Sequence, residues 1–397
     1  MNIKNNKISG RQLGRMTFYD FFALTTLLLP EMLAKTTGMD GFFALAAGFV
    51  AGYAFLLLVL EQIKRMQRQG QKYQEYLSGR FGKLLTVLIL LVYLLTALFG
   101  AAYGVRLLCD IIRQYLIRDT SAWMVTIVII LLAIYGLWKG VESRGRMYEL
   151  LFWFVVLPLL FLFLLAAYNV EPDRWVPVFC AEGMQFLKNS YLVFAFLMSS
   201  AFLPIYAEHL SAEHADTARV LKQSFLLSAG INLILYLLLT GIFGVPTVAA
   251  MEEATLELTA MVKVPGGFLE RQDALLCGIW LVSLLAFVEN ALWAVVWCLE
   301  RCVKQRFDRC AEKRSGASSY EKDHMRVRSL LVAGVVLYVL ALGMERSGAF
   351  TEELSRCYTR LAVPVLFAIM LVEGVLPAWK KRKKHVKKSM CREEADR

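Results

Sequence analysis

The first long apolar stretch contains two threonines and a proline whose positions suggest a ligand-binding site. The stretch from Phe18 to Glu31 reads FYDFFALTTLLLPE, with Thr25 and Thr26 near its middle and Pro30 close to its end. Proline donates no backbone hydrogen bond, and an interrupted helix inside a membrane leaves backbone groups free to bind a ligand. The pattern predicts a binding site. The alternative is a proline kink in which the threonines bond back to their own helix.

The sixth apolar stretch combines hydroxyl groups and a proline in the same way. It reads YLVFAFLMSSAFLPIYAEHL, and Ser199 and Ser200 shortly precede Pro204. Two interrupted helices at matching places are better evidence for a binding site than either one alone. We therefore predict that helices 1 and 6 are discontinuous, and that the ligand contacts Thr25, Thr26, Pro30, Ser199 and Ser200.

A carboxyl group lies in the middle of the eighth apolar stretch. Glu289, followed by Asn290, is part of the segment LVSLLAFVENALWAVVW. Charged groups are costly inside a bilayer, so such a group needs a partner, water or a proton. Three interpretations stay open for Glu289: a structural hydrogen bond, a proton-coupling group, or a ligand contact in a water-lined cavity.

Two tyrosines of the third apolar stretch, Tyr93 and Tyr103, could turn their hydroxyl groups toward a cavity. Interfacial anchoring or core packing explains them equally well. We include both tyrosines, with Glu289 and Asn290, among the candidate ligand-binding residues.

One polar run has the composition of a metal site but not its context. His209 and Glu213 are one helical turn apart, in a run that also holds Glu208, His214 and Asp216. The run follows the sixth apolar stretch, where interfacial polar residues are expected, and no second cluster completes a site. No Ser-His-Asp or Cys-His arrangement, P-loop or GxGxxG motif is present. We expect no metal, no cofactor and no enzymatic activity.

These residues lie in a strongly apolar chain. Its 397 residues are 58% hydrophobic and 19% charged, with a mean hydropathy of +0.52. Soluble domains have about 45–50% apolar and about 25% charged residues. Eight cysteines without a CxxC pair indicate neither a disulfide scaffold nor a zinc ribbon. The composition is that of an integral membrane protein.

Ten stretches are long and apolar enough to be membrane spans, since a helix needs about 20 mostly apolar residues to cross a bilayer. We predict an all-α protein with ten transmembrane helices near Thr17–Ala34, Gly41–Leu60, Leu84–Leu108, Trp123–Trp138, Tyr148–Tyr168, Ser190–Tyr206, Ser224–Val245, Leu275–Leu299, Leu330–Met344 and Leu361–Trp379.

The basic residues indicate how the chain is oriented. The net charge of +11 could suggest nucleic acid, but 33 of the 44 lysines and arginines fall on segments that alternate on one side of the ten spans. Only 10 fall on the other side, and Arg106 lies within a span. The positive-inside rule then places both termini in the cytoplasm. We expect a lipid bilayer and no nucleic acid as the chain's surroundings.

The span count also predicts the domain organisation. Five spans, an exterior loop and five more spans put the second half in the membrane upside down relative to the first, as in an inverted repeat. We predict one membrane domain over residues 1–397. Residues 1–168 form the first five-helix repeat with its amino-terminal tail, 189–379 form the second repeat, and 380–397 form a basic cytoplasmic tail.

One segment resembles a known family. Residues 267–294, GFLERQDALLCGIWLVSLLAFVENALWA, resemble the hallmark of the spore germination permease family, the B subunits of nutrient germinant receptors. In that family a Phe-[Ile/Leu]-Glu-Arg-x-[Glu/Asp]-Ala-[Leu/Phe] stretch leads into a tryptophan-containing eighth span. Further matches follow in family order, at Ile8, Ser9, Gln12, Leu13, Gly38, Asp40, Gly41, Gly140, Glu142, Arg144, Glu149, Pro177, Phe243 and Gly244.

The resemblance implies a fold and a function. These subunits are similar to amino acid, polyamine and organocation transporters, with a five-plus-five inverted repeat and unwound first and sixth helices. A member recognises a small germinant, commonly an amino acid, in the inner membrane of a bacterial spore, beside an A-type and a C-type subunit. This sequence departs from the pattern at Thr25 and Thr26, where the family has a glycine-containing break, and at Glu289 and Asn290, which replace an uncharged stretch.

Three functional hypotheses follow. In the first, a germinant binds between spans one, three, six and eight, and altered helix packing signals to the partner subunits. In the second, the chain is an autonomous proton-coupled amino acid transporter that uses Glu289 as its coupling group. In the third, it is a scaffold whose pocket no longer binds a ligand.

Overall fold

The computed structural model describes residues 7–210, 216–261, 272–307 and 319–375. Within these ranges the chain is helical, as predicted, and the single extended contact is an isolated bridge between Ile8 and Leu210. Eight helical stretches are long and apolar enough to cross a membrane. The first of them, Gly10–Arg68, contains two helices joined by a short turn, and Ala122–Trp138 is a further, shorter apolar helix. The protein is therefore an all-helical membrane protein.

The helices are numbered here in chain order. They are α1 (Gly10–Thr37), α2 (Gly41–Arg68), α3 (Tyr73–Ile111), α4 (Ala122–Trp138), α5 (Val141–Ala167), α6 (Gly183–Phe196), α7 (Leu203–Ala207), α8 (Thr217–Phe243), α9 (Val245–Ala250), α10 (Ala254–Met261), α11 (Gln272–Phe307), α12 (Ser319–Arg346), α13 (Gly348–Cys357) and α14 (Val363–Val375).

Helix α1 is continuous, so the predicted break in the first span is wrong. The hydroxyl groups of Thr25 and Thr26 donate to the carbonyls of Phe21 and Phe22, one turn earlier in the same helix. Pro30 removes the helix bond to the Thr26 carbonyl, but the Thr255 hydroxyl of α10 donates to that oxygen instead, at 2.6 Å. The helix stays intact because a neighbouring side chain replaces the missing donor.

The sixth span does change its helical geometry where the sequence indicates. α6 ends at Phe196, a 3-10 segment covers Leu197–Phe202, and α7 begins at Leu203 with Pro204 in its first turn. Proline is tolerated in a first turn because its missing N–H has no intrahelical partner there. The tighter 3-10 segment breaks the α-helical hydrogen-bond pattern at the level of Ser199 and Ser200.

Helix packing places α1 in the centre of the bundle. It contacts α5, α6, α8 and α11, while α2 packs on α6 and α8, and α3 packs mainly on α11. Within α3 the backbone leaves helical geometry at Gly82, whose φ of +80° suits glycine. The nine residues before Gly82 therefore form a separate short helical segment at the start of α3.

An acidic side chain organises the loop after α5. The carboxylate of Asp40, in the turn between α1 and α2, accepts the backbone N–H groups of Phe179, Cys180 and Ala181, the last at 2.7 Å. Three charge-assisted hydrogen bonds to one carboxylate fix this loop across the ends of α1 and α2.

Candidate functional site

A cavity of about 140 Å³ lies beside α1. Its lining comes from helices α1, α3, α6, α7 and α11, the 3-10 segment, the end of α13 and the two residues that follow it. Its lining residues are Asp20, Leu24, Met32, Ala97, Phe99, Gly100, Tyr103, Leu192, Ala195, Phe196, Ser199, Phe202, Tyr206, Phe287, Asn290, Ala291, Ala294, Ser355, Tyr358 and Thr359. A cavity of this size and with polar groups in its wall holds several water molecules or one small solute.

One region of the cavity wall is polar and contains the carboxyl group of Asp20. The amide of Asn290 donates to the Asp20 carboxylate at 2.9 Å and to the Met16 carbonyl at 3.1 Å. The hydroxyl of Tyr206 donates to the Asn290 carbonyl at 2.8 Å. The side-chain oxygen of Asn290 is buried and has no hydrogen-bond partner. Asp20 and Asn290 therefore present acceptor groups that a ligand with donors could satisfy.

Aromatic rings form much of the remaining wall. Phe99 stacks on Tyr358 with ring centres 5.0 Å apart, and the Tyr358 hydroxyl donates to the Ala195 carbonyl at 3.0 Å. Because α6 ends at Phe196, the following 3-10 segment carries both Ser199 and Phe202 to the cavity. The cavity thus combines an apolar body with a small polar region, the usual composition of a small-molecule site.

The structure brings three of the nine sequence-predicted residues to the cavity: Tyr103, Ser199 and Asn290. Thr25 and Thr26 are not in its lining, because neighbouring helices use their hydroxyl oxygens. Asn232 of α8 donates to the Thr25 oxygen at 3.0 Å, and Trp280 of α11 donates to the Thr26 oxygen at 3.1 Å.

The remaining hydroxyl-bearing candidates also lie outside the lining. Ser200 is buried and donates to the Leu197 carbonyl at 2.8 Å within its own segment. Tyr93 packs behind the wall, against the cavity residue Phe202, with ring centres 5.4 Å apart. Pro30 is likewise absent from the lining and acts through the backbone of α1.

Glu289 turns away from the cavity, although its neighbour Asn290 faces it. Its carboxylate accepts a hydrogen bond from the Tyr148 hydroxyl of α5 and packs on Gly136 of α4, where an added Cβ would overlap it. The guanidinium of Arg144, itself 1% exposed, donates to the Glu289 carbonyl at 3.0 Å. This environment matches the structural hydrogen bond that was one of the three interpretations of Glu289.

Sequence reasoning did not single out Asp20, whose side chain is the only acidic or basic one among the described lining residues. The available signal was its position, because a carboxyl group inside the first apolar stretch is as unusual as Glu289 in the eighth. The aromatic wall residues gave no such signal, since phenylalanines are abundant along the whole chain.

A partly buried ion pair joins the start of α3, the end of α7 and α11. The Glu208 carboxylate accepts the backbone N–H of Tyr73 at 2.7 Å and pairs with Arg301 at 3.2 Å. Burial raises the pKa of Glu208, and the Arg301 guanidinium opposes that shift. We name this pair, with the Tyr73 backbone, the Glu208–Arg301 clasp. Glu213, His214 and the first residues of the family hallmark, up to Arg271, lie outside the described residues.

Comparison with known proteins places the chain among spore proteins. Residues 7–310 match the family described as "Spore germination protein". Spore germination protein YndE of Bacillus subtilis is 22% identical over 283 residues, covering 71% of this chain and 77% of the relative. Spore germination protein A2 of the same organism is 23% identical over 65% of this chain and 70% of its own. Spore germination protein GerLB of Bacillus cereus is 23% identical over 288 residues, covering 70% of this chain and 75% of the relative.

A solved structure shares the fold. It is described as the substrate-bound outward-open state of a Na⁺-coupled sialic acid symporter, and it superposes with a TM-score of 0.70 over 93% of this chain and 79% of that one. At 14% identity the likeness concerns the fold alone. The sequence match covers most of the chain and agrees with the helical membrane structure, and the chain belongs to the spore germination protein family.

Proposed function

We propose that the protein is the membrane subunit of a nutrient germinant receptor of the spore inner membrane, and that it binds an amino acid in the cavity beside α1. The Asp20–Asn290 pair in an otherwise apolar cavity is the observation that carries this proposal. A ligand acts by binding one helix arrangement better than another. In our proposal, A-type and C-type partner subunits sense that arrangement.

The polar region of the cavity suits an ammonium group. The Asp20 carboxylate and the unpaired Asn290 oxygen are both acceptors, and charge-assisted hydrogen bonds to a cationic amine are the strong ones. Among the described lining residues there is no lysine or arginine. The hydroxyls of Tyr103 and Ser199 could donate to the ligand's carboxylate, while the aromatic wall accommodates an apolar side chain.

The proposal includes ten spans, an inverted repeat of 1–168 on 189–379, and cytoplasmic termini. Its support is the packing pattern. Helix α1 packs on α8 as α2 packs on α6, which is the relation expected if spans one and two correspond to spans six and seven. The same correspondence pairs spans three and four, α3 and α4, with spans eight and nine, α11 and α12. The contacts of α3 with α11 and of α4 with α12 are therefore contacts between corresponding spans.

Asp20→Asn tests the proposal against a matched control, Glu289→Gln. Both changes remove a buried carboxylate from the membrane region, but only Asp20 lines the cavity. Spores that lack this chain would be complemented with each variant and exposed to single amino acids. We expect Asp20→Asn to raise the effective nutrient concentration about 10- to 100-fold, since a charge-assisted hydrogen bond contributes about 1.5–3 kcal/mol.

The control should keep wild-type nutrient sensitivity. Equal sensitivity of wild type and Asp20→Asn, with both proteins present in the membrane, would contradict the cavity as the germinant site. That result, together with no stabilisation of the purified protein by any amino acid, would favour a scaffold. Bulky changes at Thr25 or Ser200 are less informative, because both side chains are packed and would disturb the helices themselves.

The fold of the symporter supports a second candidate, an autonomous proton-coupled amino acid transporter. Uptake of labelled amino acids into proteoliposomes that contain this chain alone would favour it. Glu289→Gln should abolish the pH dependence of that uptake if Glu289 is the coupling group. Neighbouring genes for A-type and C-type subunits would instead favour a receptor subunit or a scaffold.

A further inference from the structure

Another buried carboxyl group lies between α14 and the start of α3, apart from the ligand cavity. Glu373 on α14 is 0% exposed, and its side chain accepts the hydroxyl of Tyr73 at 3.2 Å. That hydroxyl is also 3.0 Å from the hydroxyl of Tyr93. Tyr93 packs on Phe202, which lines the cavity. A chain of two hydroxyls therefore leads from behind the cavity wall to one oxygen of Glu373.

The positive groups around Glu373 do not neutralise its carboxylate. Arg80 donates to the backbone carbonyl of Glu373, and its guanidinium lies 4.3 Å from the Tyr76 ring centre. Arg65 of α2 donates to the carbonyl of Gly374 at 2.6 Å. Among the described ion pairs none involves Glu373. An unpaired carboxylate at zero exposure is costly, so this site favours a bound proton.

The second oxygen of Glu373 has no hydrogen-bond partner, and other orphan polar atoms surround the site. Buried atoms without a partner are the Tyr76 hydroxyl, the Gln62 side-chain oxygen, the Arg80 Nε and the second Glu373 oxygen. Gln62 is anchored nearby, since its amide donates to the Met370 carbonyl one turn before Glu373. Polar atoms of this kind are where ordered water binds. Such water would connect Glu373 with Arg80, which is partly exposed.

We propose that Glu373 is a proton-binding site, connected to the cavity side by Tyr93 and Tyr73. Each hydroxyl has one hydrogen. When Glu373 is a carboxylate, Tyr93 donates to Tyr73 and Tyr73 donates to Glu373. In the proposed step Phe202 moves aside and a hydronium ion in the cavity gives its proton to the Tyr93 hydroxyl. The Tyr93 hydrogen then moves to Tyr73, and the Tyr73 hydrogen moves to Glu373. Water, two neutral tyrosines and a neutral carboxyl group remain.

Proton binding at Glu373 would act on the Glu208–Arg301 clasp. Tyr73 is shared, because its hydroxyl serves Glu373 while its backbone N–H serves Glu208. The titratable and charged groups that face the site are Tyr73, Tyr76 and Arg80 of α3, Tyr93 further along α3, Arg65 of α2 and, beside Tyr93, Cys298 of α11. None of these groups is in the lining of the ligand cavity, and Glu289 is not among them.

Infrared difference spectroscopy tests the proposal on the full-length protein in liposomes, with pH as the only variable. In the unchanged protein we expect a C=O band of protonated carboxyl groups whose intensity changes with pH. In Glu373→Gln this band should be weaker by the contribution of one carboxyl group. The control is Glu61→Gln, which should keep the band, because Glu61 is an exposed glutamate one turn before Arg65 on α2. Tyr73→Phe should shift the frequency of the band, because it removes the hydrogen bond to Glu373.

An undiminished band in Glu373→Gln would overturn the assignment of the proton to this residue. A band that does not shift in Tyr73→Phe would overturn the hydroxyl path, and this variant decides the matter if Glu373→Gln does not fold. No germinant is present in this measurement. A negative germination result for Asp20→Asn would therefore leave the proton site standing, and a missing band would leave the germinant site standing.

Discussion

Removing the Thr255 hydroxyl should destabilise the protein because it exposes the defect that Pro30 creates in α1. Thr255 is 0% exposed and donates at 2.6 Å to the Thr26 carbonyl, the acceptor that lacks its helix donor. Thr255→Val keeps the shape of the side chain and leaves this buried carbonyl without a partner. The expected loss in the free energy of unfolding is about 1–3 kcal/mol.

The same helix supplies a matched control. Thr259 is also buried in α10, but its hydroxyl donates at 2.7 Å to the Leu256 carbonyl of its own helix, where the backbone provides a donor as well. Thr259→Val should therefore cost less, at most about 1 kcal/mol. Unfolding can be followed in mixed detergent micelles by the reaction of the buried thiols of Cys277 and Cys298 with a fluorescent reagent.

A double-mutant cycle isolates the interaction. Pro30→Ala restores a backbone N–H that can donate to the Thr26 carbonyl. In this background the loss in the free energy of unfolding caused by Thr255→Val should be smaller, by at least about 1 kcal/mol, than in the protein with Pro30. An equal cost of Thr255→Val with Pro30 and with Ala at position 30 would refute the idea that Thr255 substitutes for the missing helix bond. The continuity of α1 would then need another explanation.

Three further predictions concern other parts of the structure. Burial raises the pKa of Glu253 from 4.5 to about 7. As pH rises, Glu253 therefore loses its proton in the unfolded chain before it does so in the folded protein. Stability should fall as pH rises from 4.5 to 7, by at most about 3 kcal/mol, and a fall that persists in Glu253→Gln would be inconsistent with this cause. Gly48→Ala should lower the thermal stability, because its Cβ would meet packed atoms of α6, whereas Gly230→Ala points into open space and should not. Asp40→Asn should speed proteolysis of residues 172–182, since one carboxylate oxygen that accepts a backbone N–H is replaced by a donor; unchanged cleavage would count against the role of Asp40.

The sequence predicted the class of protein well and the site only in outline. Apolar stretches are long enough to identify helices one by one, and motif spacing along the chain identified the family before any contact was known. The ten spans, the orientation and the repeat remain predictions. The pattern of Thr25, Thr26 and Pro30 fits either an unwound helix or a proline kink with back-bonded threonines. The sequence cannot decide between them, because it does not show that Thr255, more than 200 residues later, supplies the missing donor.

Which side chains share the cavity depended on rotation within each helix. Glu289 and Asn290 are neighbours in sequence, yet one bonds to Tyr148 of α5 and the other to Asp20 of α1, since successive helical residues point about 100° apart. Ser199 and Ser200 divide in the same way. Hydropathy cannot distinguish the two members of such a pair, because both lie at the same depth in the bilayer.

By itself, the sequence determined that this chain is a helical membrane protein of a spore germination family, because hydrophobicity and motif order are properties of the linear chain. The tertiary structure alone decided that Asp20 and Asn290 meet at a cavity, that Glu289 faces α4 and α5, and that Glu373 lies beside two tyrosine hydroxyls. These contacts join residues up to 300 positions apart. They depend on how helices rotate and pack against each other, which no local pattern of residues encodes.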